Sequence, residues 1–107
     1  MALQRARAEA ERHGPRVAER IEWLRADLTT WSPPVTAFDL VSIQFMHLPS
    51  AQRTPLFQRC IDAVAVGGTL LIVGHDESDL QPSFRRPPPP DLYFHAATIA
   101  TELGDQW

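Results

Sequence analysis

The run of residues 38–49 constrains the fold more than any other part of the chain. It is almost wholly apolar, polar side chains return at Gln44 and His47, and Pro49 closes it. A short apolar run bounded by turn residues predicts a strand that is buried on both faces. Such strands belong to parallel sheets covered by helices, and ligands bind just beyond their carboxyl ends. We therefore expect a functional site near Gln44 and His47.

The rest of the chain predicts strands that alternate with helices, which is the pattern of an α/β protein with a parallel sheet. The predicted helices cover residues 3–13, 50–66 and 95–103, and the predicted strands cover residues 21–25, 38–45 and 69–74. Residues 75–90, rich in acids, arginines and prolines, predict a long loop. The expected fold is a Rossmann-like parallel sheet with flanking helices, incomplete, with three strands and three helices.

Composition excludes several classes of function. The net charge of -3 gives no indication of a surface for nucleic acid or membranes. No apolar run approaches the roughly 20 residues of a membrane helix. A single cysteine, Cys60, excludes an internal disulfide and fits a reducing compartment. With 107 residues the chain is one domain or part of one, and we expect it to be cytoplasmic.

Three segments, residues 20–28, 38–49 and 66–76, together resemble the middle of a class I S-adenosylmethionine-dependent methyltransferase. Their order and spacing carry the resemblance. It implies that residues 1–107 are a partial methyltransferase domain, from the helix before the third strand to the helix after the fifth. It also implies an enzyme that moves a methyl group from S-adenosylmethionine to a small molecule whose identity the sequence does not specify.

The resemblance assigns the cofactor-binding residues. Asp27 would accept a hydrogen bond from the adenine amine, and the backbone amide of Leu28 would contact the adenine ring. Gln44 and Phe45 would lie beside the methionine part of the cofactor. An ionised carboxylate only accepts hydrogen bonds, so it suits an amine donor. The methyl group of a sulfonium is already activated, so the protein mainly aligns the acceptor and excludes water.

Two histidines are candidates for the side of the methyl acceptor. His47 or His75 could act as a base there, because imidazole titrates near neutral pH. His47 could instead cap or pack against the next helix, Asp27 could be a plain turn residue, and Gln44 a satisfied polar group beside a loop. No metal site is expected at His75, Asp76, Glu77 and Asp79, because adjacent residues of one loop rarely point at one centre.

The chain also departs from the family. It lacks the glycine-rich loop that follows the first strand and the acid that follows the second. In the family both strands lie between the third and the fourth, so residues 21–25 and 38–45 would not be neighbours. We therefore expect an internal fragment that binds the cofactor weakly by itself.

Two other hypotheses stay open. The chain could be a non-catalytic remnant or interaction module whose open sheet edges are completed by a second copy or by another chain. It could also be a nucleotide-binding α/β protein with another chemistry, since a fold does not fix a function.

Overall fold

The computed structural model describes residues 2–76, 92, 94–105 and 107. Most of the predicted loop over residues 75–90 therefore lies outside the described residues. The chain divides into two compact units, Met1–Trp31 and Ser32–Trp107. Among the described residues, no helix has both the length and the apolar character needed to cross a bilayer.

The first unit contains two helices, α1 (Ala2–Arg12) and α2 (Pro15–Glu19). Gly14 separates them with a φ of 108°, a conformation that glycine adopts without steric cost. Pro15 stands at the first position of α2, where its fixed φ suits a helix and its missing N–H is not needed. The predicted first helix is thus confirmed. Pro15, which cannot continue α1, also begins the short second helix.

The strand predicted over residues 21–25 is not formed, and this prediction is wrong. Residues 21–27 have no regular secondary structure, and the side chains of Ile21 and Leu24 are exposed. A strand needs a neighbour to complete its backbone hydrogen bonds. The described residues of the first unit offer none, so the local preference of Ile21 and Trp23 for extended structure is not enough.

The described residues of the second unit form two strands and two helices, in the order β1 (Phe38–Gln44), α3 (Ser50–Asp62), β2 (Val64–Val73) and α4 (Ala96–Glu102). The strands pair in parallel, and the helix α3 makes the crossover between them. The α/β class with a parallel sheet and flanking helices is confirmed. Within the described residues the chain has two strands and four helices, where three of each were predicted.

The glycine pair Gly67-Gly68 lies inside β2, although the sequence predicts that it ends the preceding helix. That helix already ends at Asp62, and β2 begins two residues later. The first two residue pairs of the sheet are Phe38 with Val64 and Leu40 with Thr69. Between these pairs β1 advances by two residues and β2 by five, so β2 has a β-bulge there. Gly67 has a φ of 78°, and a Cβ on Gly68 would lie 2.8 Å from the Ala65 carbonyl oxygen. The bulge therefore depends on both glycines.

The core of the second unit lies between α3 and the sheet. Its buried apolar residues are Ile43, Leu56, Phe57, Cys60, Ala63, Val64 and Ile99. Burial raises the pKa of the Cys60 thiol, so this side chain stays protonated as a core residue.

The prediction that β1 is buried on both faces is wrong. Ile43 is buried, but Leu40 on the opposite face is 58% exposed. Leu71 of β2 pairs with Ser42 and is also exposed. One face of the two-stranded sheet is packed, and its other face presents these leucines to solvent.

Candidate functional site

Four aromatic side chains meet beyond the carboxyl ends of β1 and β2. We call Phe45, His47, His75 and Phe94 the aromatic cluster. The ring centroid of His75 lies 5.1 Å from that of Phe45 and 5.4 Å from that of His47, and the His47 and Phe94 rings are 5.6 Å apart. The structure therefore brings together three of the residues that the sequence singles out, because the carboxyl ends of parallel strands meet at one edge.

His47 is held by the backbone on both sides of its ring. The His75 backbone N–H donates to Nε2 of His47 over 3.0 Å, and Nδ1 of His47 lies 2.7 Å from the Leu92 carbonyl oxygen. A carbonyl oxygen only accepts, so these contacts assign the hydrogen of the neutral ring to Nδ1. His47 thus joins three segments of the chain. These two hydrogen bonds favour a packing role for His47 over a role as a base.

His75 is exposed at the same edge of the sheet. Its ring stacks on that of His47 at an angle of 24° and contacts Phe45. The next residue, Asp76, pairs with His95 at the start of α4, with 2.5 Å between Oδ1 and Nδ1. Of the two histidines, His75 is the more exposed.

Phe94 is a member of the cluster that the sequence did not reveal. Its ring meets Phe57 edge to face, with centroids 5.7 Å apart, and the Arg53 guanidinium lies 5.2 Å above its centroid. A Cβ on Gly74 would come within 2.7 Å of Cζ of Phe94. The sequence feature that could have indicated a ring at this position is Gly74, because a glycine in a strand pattern often marks the close approach of another part of the chain.

Gln44 is the last residue of β1 and Phe45 follows it directly. Both residues are exposed. Gln44 donates from Nε2 to the Ser42 hydroxyl over 3.1 Å, so the amide is satisfied locally. The Phe45 N–H donates to the Val73 carbonyl over 2.7 Å, and the Phe45 side chain is 54% exposed. Phe45 has a φ of 53°, the left-handed conformation that bulky residues seldom adopt. Such outliers are often found at functional sites.

We expect Phe45→Gly to be more stable than Phe45→Ala by about 1 kcal/mol, because glycine takes a positive φ without strain. Both variants lose the ring, so the comparison isolates the backbone. At an ordinary strand position glycine is instead the less stable of the two. Urea denaturation of the two variants measures the difference. An alanine variant as stable as the glycine variant would show that Phe45 is not strained.

Asp27 and Leu28 belong to the first unit, whereas Gln44, Phe45 and the histidines belong to the second. Oδ1 of Asp27 accepts hydrogen bonds from the Thr29 hydroxyl over 2.6 Å and from the Thr29 backbone N–H over 2.9 Å. These bonds, the hydroxyl first, lower the pKa of the Asp27 carboxyl. Its carbonyl oxygen accepts from Trp31, which closes a turn. Asp27 is thus an exposed, ionised carboxylate that also serves the turn role considered for it.

Metal ligands do not gather in the part of the chain that the structure describes, where no three His, Cys, Asp or Glu side chains could hold an ion together. Glu77 and Asp79, two of the acids considered from the sequence, lie outside the described residues.

Comparisons with models of protein families, with curated proteins and with solved structures found no match. Any functional assignment therefore depends on the residues and the geometry described above.

Proposed function

We propose that this chain is part of a class I S-adenosylmethionine-dependent methyltransferase that transfers a methyl group to a small molecule. The observation that carries the proposal is the parallel β1-α3-β2 unit, which sets Gln44 and Phe45 beside His75 at one edge of the sheet. In open α/β sheets this edge is where ligands bind. The proposed ligand, S-adenosylmethionine, is inferred from the resemblance of residues 20–28, 38–49 and 66–76 to the family.

Taken separately, each of the two units has groups that suit one part of the cofactor. Asp27 offers an ionised carboxylate to the adenine amine, and the Leu28 backbone amide lies next to it in the chain. The exposed ring of Phe45 offers an aromatic face, which attracts a cation such as a sulfonium. When bound, S-adenosylmethionine supplies a methyl group that is already activated for displacement.

His75 and His47 have different roles in the proposed reaction. Asp27, Leu28, Gln44 and Phe45 would hold the cofactor, which would supply its methyl group to the acceptor atom by direct displacement. An acceptor with an N–H or O–H group must also lose a proton. His75 is placed to receive this proton, because its side chain is exposed at the edge. His47 positions His75 by accepting the hydrogen bond of its backbone N–H.

An interaction module completed by another chain is the second candidate, and the sheet itself favours it. In the described part of the chain, β1 and β2 pair with each other alone, so each has an open edge. Leu40 and Leu71 are exposed on one face. Open edges invite strand addition, and a two-stranded sheet gains stability from a third strand. A monomer by light scattering at all concentrations would argue against completion by a second copy.

NMR titration of the chain with S-adenosylhomocysteine, NADH and ATP, each at about millimolar concentration, tests the cofactor assignment. We expect S-adenosylhomocysteine to shift the amide signals of Asp27, Leu28, Gln44 and Phe45, with an affinity weaker than micromolar. Asp27→Asn should weaken this binding about tenfold or more, because it removes a charge-assisted hydrogen bond. Asp39→Asn is the matched control, since Asp39 lies near the amino end of β1. Equal shifts with all three ligands, or no shifts with any, would contradict the proposal.

A further inference from the structure

A groove of about 400 Å³ runs between β2 and α4. Leu70 and Ile72 line it from the strand, Ile99 lines it from the helix, and Leu103 lines it from just after the helix. Its volume falls within the range of roughly 300–1,000 Å³ that is typical of small-molecule pockets. The groove is therefore large enough for a compact ligand.

The spacing of the lining residues explains why the groove is apolar. Leu70, Ile72 and Gly74 alternate along β2 and so share one face of the strand. Ala96, Ile99 and Ala100 are spaced by three and four residues and so share one face of α4, and Leu103 follows directly after the helix. Phe94 closes the end of the groove nearest to the aromatic cluster.

Asp76 contributes a carboxylate to the lining of the groove. It is the charged residue among those that line the groove in the described part of the chain. His95 pairs with one of its oxygens and so orients the carboxylate. A carboxylate has about four acceptor positions, so a ligand N–H can be added to the bonds already made.

We propose that this groove binds a small aromatic or aliphatic amine. Its hydrocarbon part lies between β2 and α4, and its ammonium group donates to Asp76. The inference rests on the proposed function in one respect, since it names the class of the methyl acceptor. The charge of Asp76 selects a cation over an anion, and the aliphatic walls select a compact apolar body over a polar one.

Phenethylamine and its neutral analogue 2-phenylethanol are the probes that test this binding. We expect phenethylamine to shift the methyl NMR signals of Leu70, Ile99 and Leu103 and to bind about tenfold more tightly than 2-phenylethanol, because a charged group strengthens the hydrogen bond. In Asp76→Asn this preference should fall below about threefold. Retention of the full preference in Asp76→Asn would overturn the role of Asp76.

Two variants of α4 test the location. Ala100 lines the groove and Ala97 does not, although both are exposed on the same helix. Ala100→Phe should fill the groove and abolish binding of both probes, whereas Ala97→Phe should leave it unchanged. Unchanged amide signals of β1 and β2 show that a variant is folded. Equal binding by the two variants would place the ligand elsewhere and overturn the inference.

The titration also separates this inference from the proposed function. Binding of phenethylamine without any response to S-adenosylhomocysteine leaves the groove assignment standing and removes the methyltransferase proposal. The reverse result removes the groove assignment alone. Contacts from residues 77–91 to the Ile99 methyl groups, or signals that shift with protein concentration, would show that the chain itself or a second copy fills the groove. Either result overturns the inference.

Discussion

Replacing Phe57 with alanine is expected to lower the free energy of unfolding by about 3–5 kcal/mol. Phe57 is 2% exposed and meets the Phe94 ring edge to face. Its removal leaves a cavity between α3 and the aromatic cluster, and the neighbours relax only partly into such a space. A single domain has roughly 5–15 kcal/mol of stability, so the loss would be a large share of the total. Urea denaturation followed by circular dichroism measures it.

Leu71→Ala is the matched control for Phe57. It also truncates a large apolar side chain of the second unit, but Leu71 is 45% exposed, so we expect a loss below about 1 kcal/mol. A double-mutant cycle with Phe94→Ala should give a coupling of about 0.5–1.5 kcal/mol between the two rings. Equal losses in Phe57→Ala and Leu71→Ala would show that α3 does not pack as described.

Gly68→Ala is expected to cost about 2–3 kcal/mol, the upper part of the range for overpacked sites. The new Cβ would lie 2.8 Å from the Ala65 carbonyl oxygen and 3.0 Å from that of Asp39. Real Cβ atoms essentially never approach other atoms to 2.8 Å, so something must move. The obstructing atoms include backbone, and their movement disturbs the pairing of β1 with β2 at the bulge. Chemical denaturation of the variant and the parent chain gives the difference.

Gly104→Ala is the control for the effect of glycine in the unfolded chain. Apart from its neighbours in the chain, no atom of the described residues lies within 4 Å of the position that a Cβ on Gly104 would take, and Gly104 has no positive φ. We expect Gly104→Ala to be neutral or to stabilise by up to about 1 kcal/mol, because alanine restricts the unfolded chain. If Gly68→Ala were equally harmless, the close packing at the bulge would be wrong.

Local patterns in the sequence predicted the central part of the fold. The apolar run predicted as a strand over residues 38–45 contains β1 (Phe38–Gln44), and Leu56, Phe57 and Cys60 form the buried side of α3. The stripe of α3 succeeds because helical periodicity reports which side chains are buried, whereas the apolar run of β1 predicted the strand but not its burial. Residues 21–25 have the same local preference for strand, but a strand depends on a partner elsewhere in the chain. Gly67-Gly68 was misplaced for a similar reason, because its bulge exists only relative to β1.

The candidate site was predictable to the extent that it follows from topology. Parallel strands end at one edge, so Phe45, His47 and His75 were expected together and lie together. The hydrogen bonds of His47 were not predictable, because one partner is the Leu92 carbonyl, 45 residues away. Phe94 was missed for the same reason, since its place over Gly74 depends on how the chain returns to the sheet.

The crossover from β1 through α3 to β2 has a consequence for the synthesis of the protein. Residues 38–73 contain both paired strands and the helix between them, so this unit can form once they have left the ribosome. Domains acquire structure from the amino-terminal side as they are made. Leu92 and Phe94 emerge later, and His47 gains these partners only then. The aromatic cluster is therefore completed only after both paired strands have been synthesised.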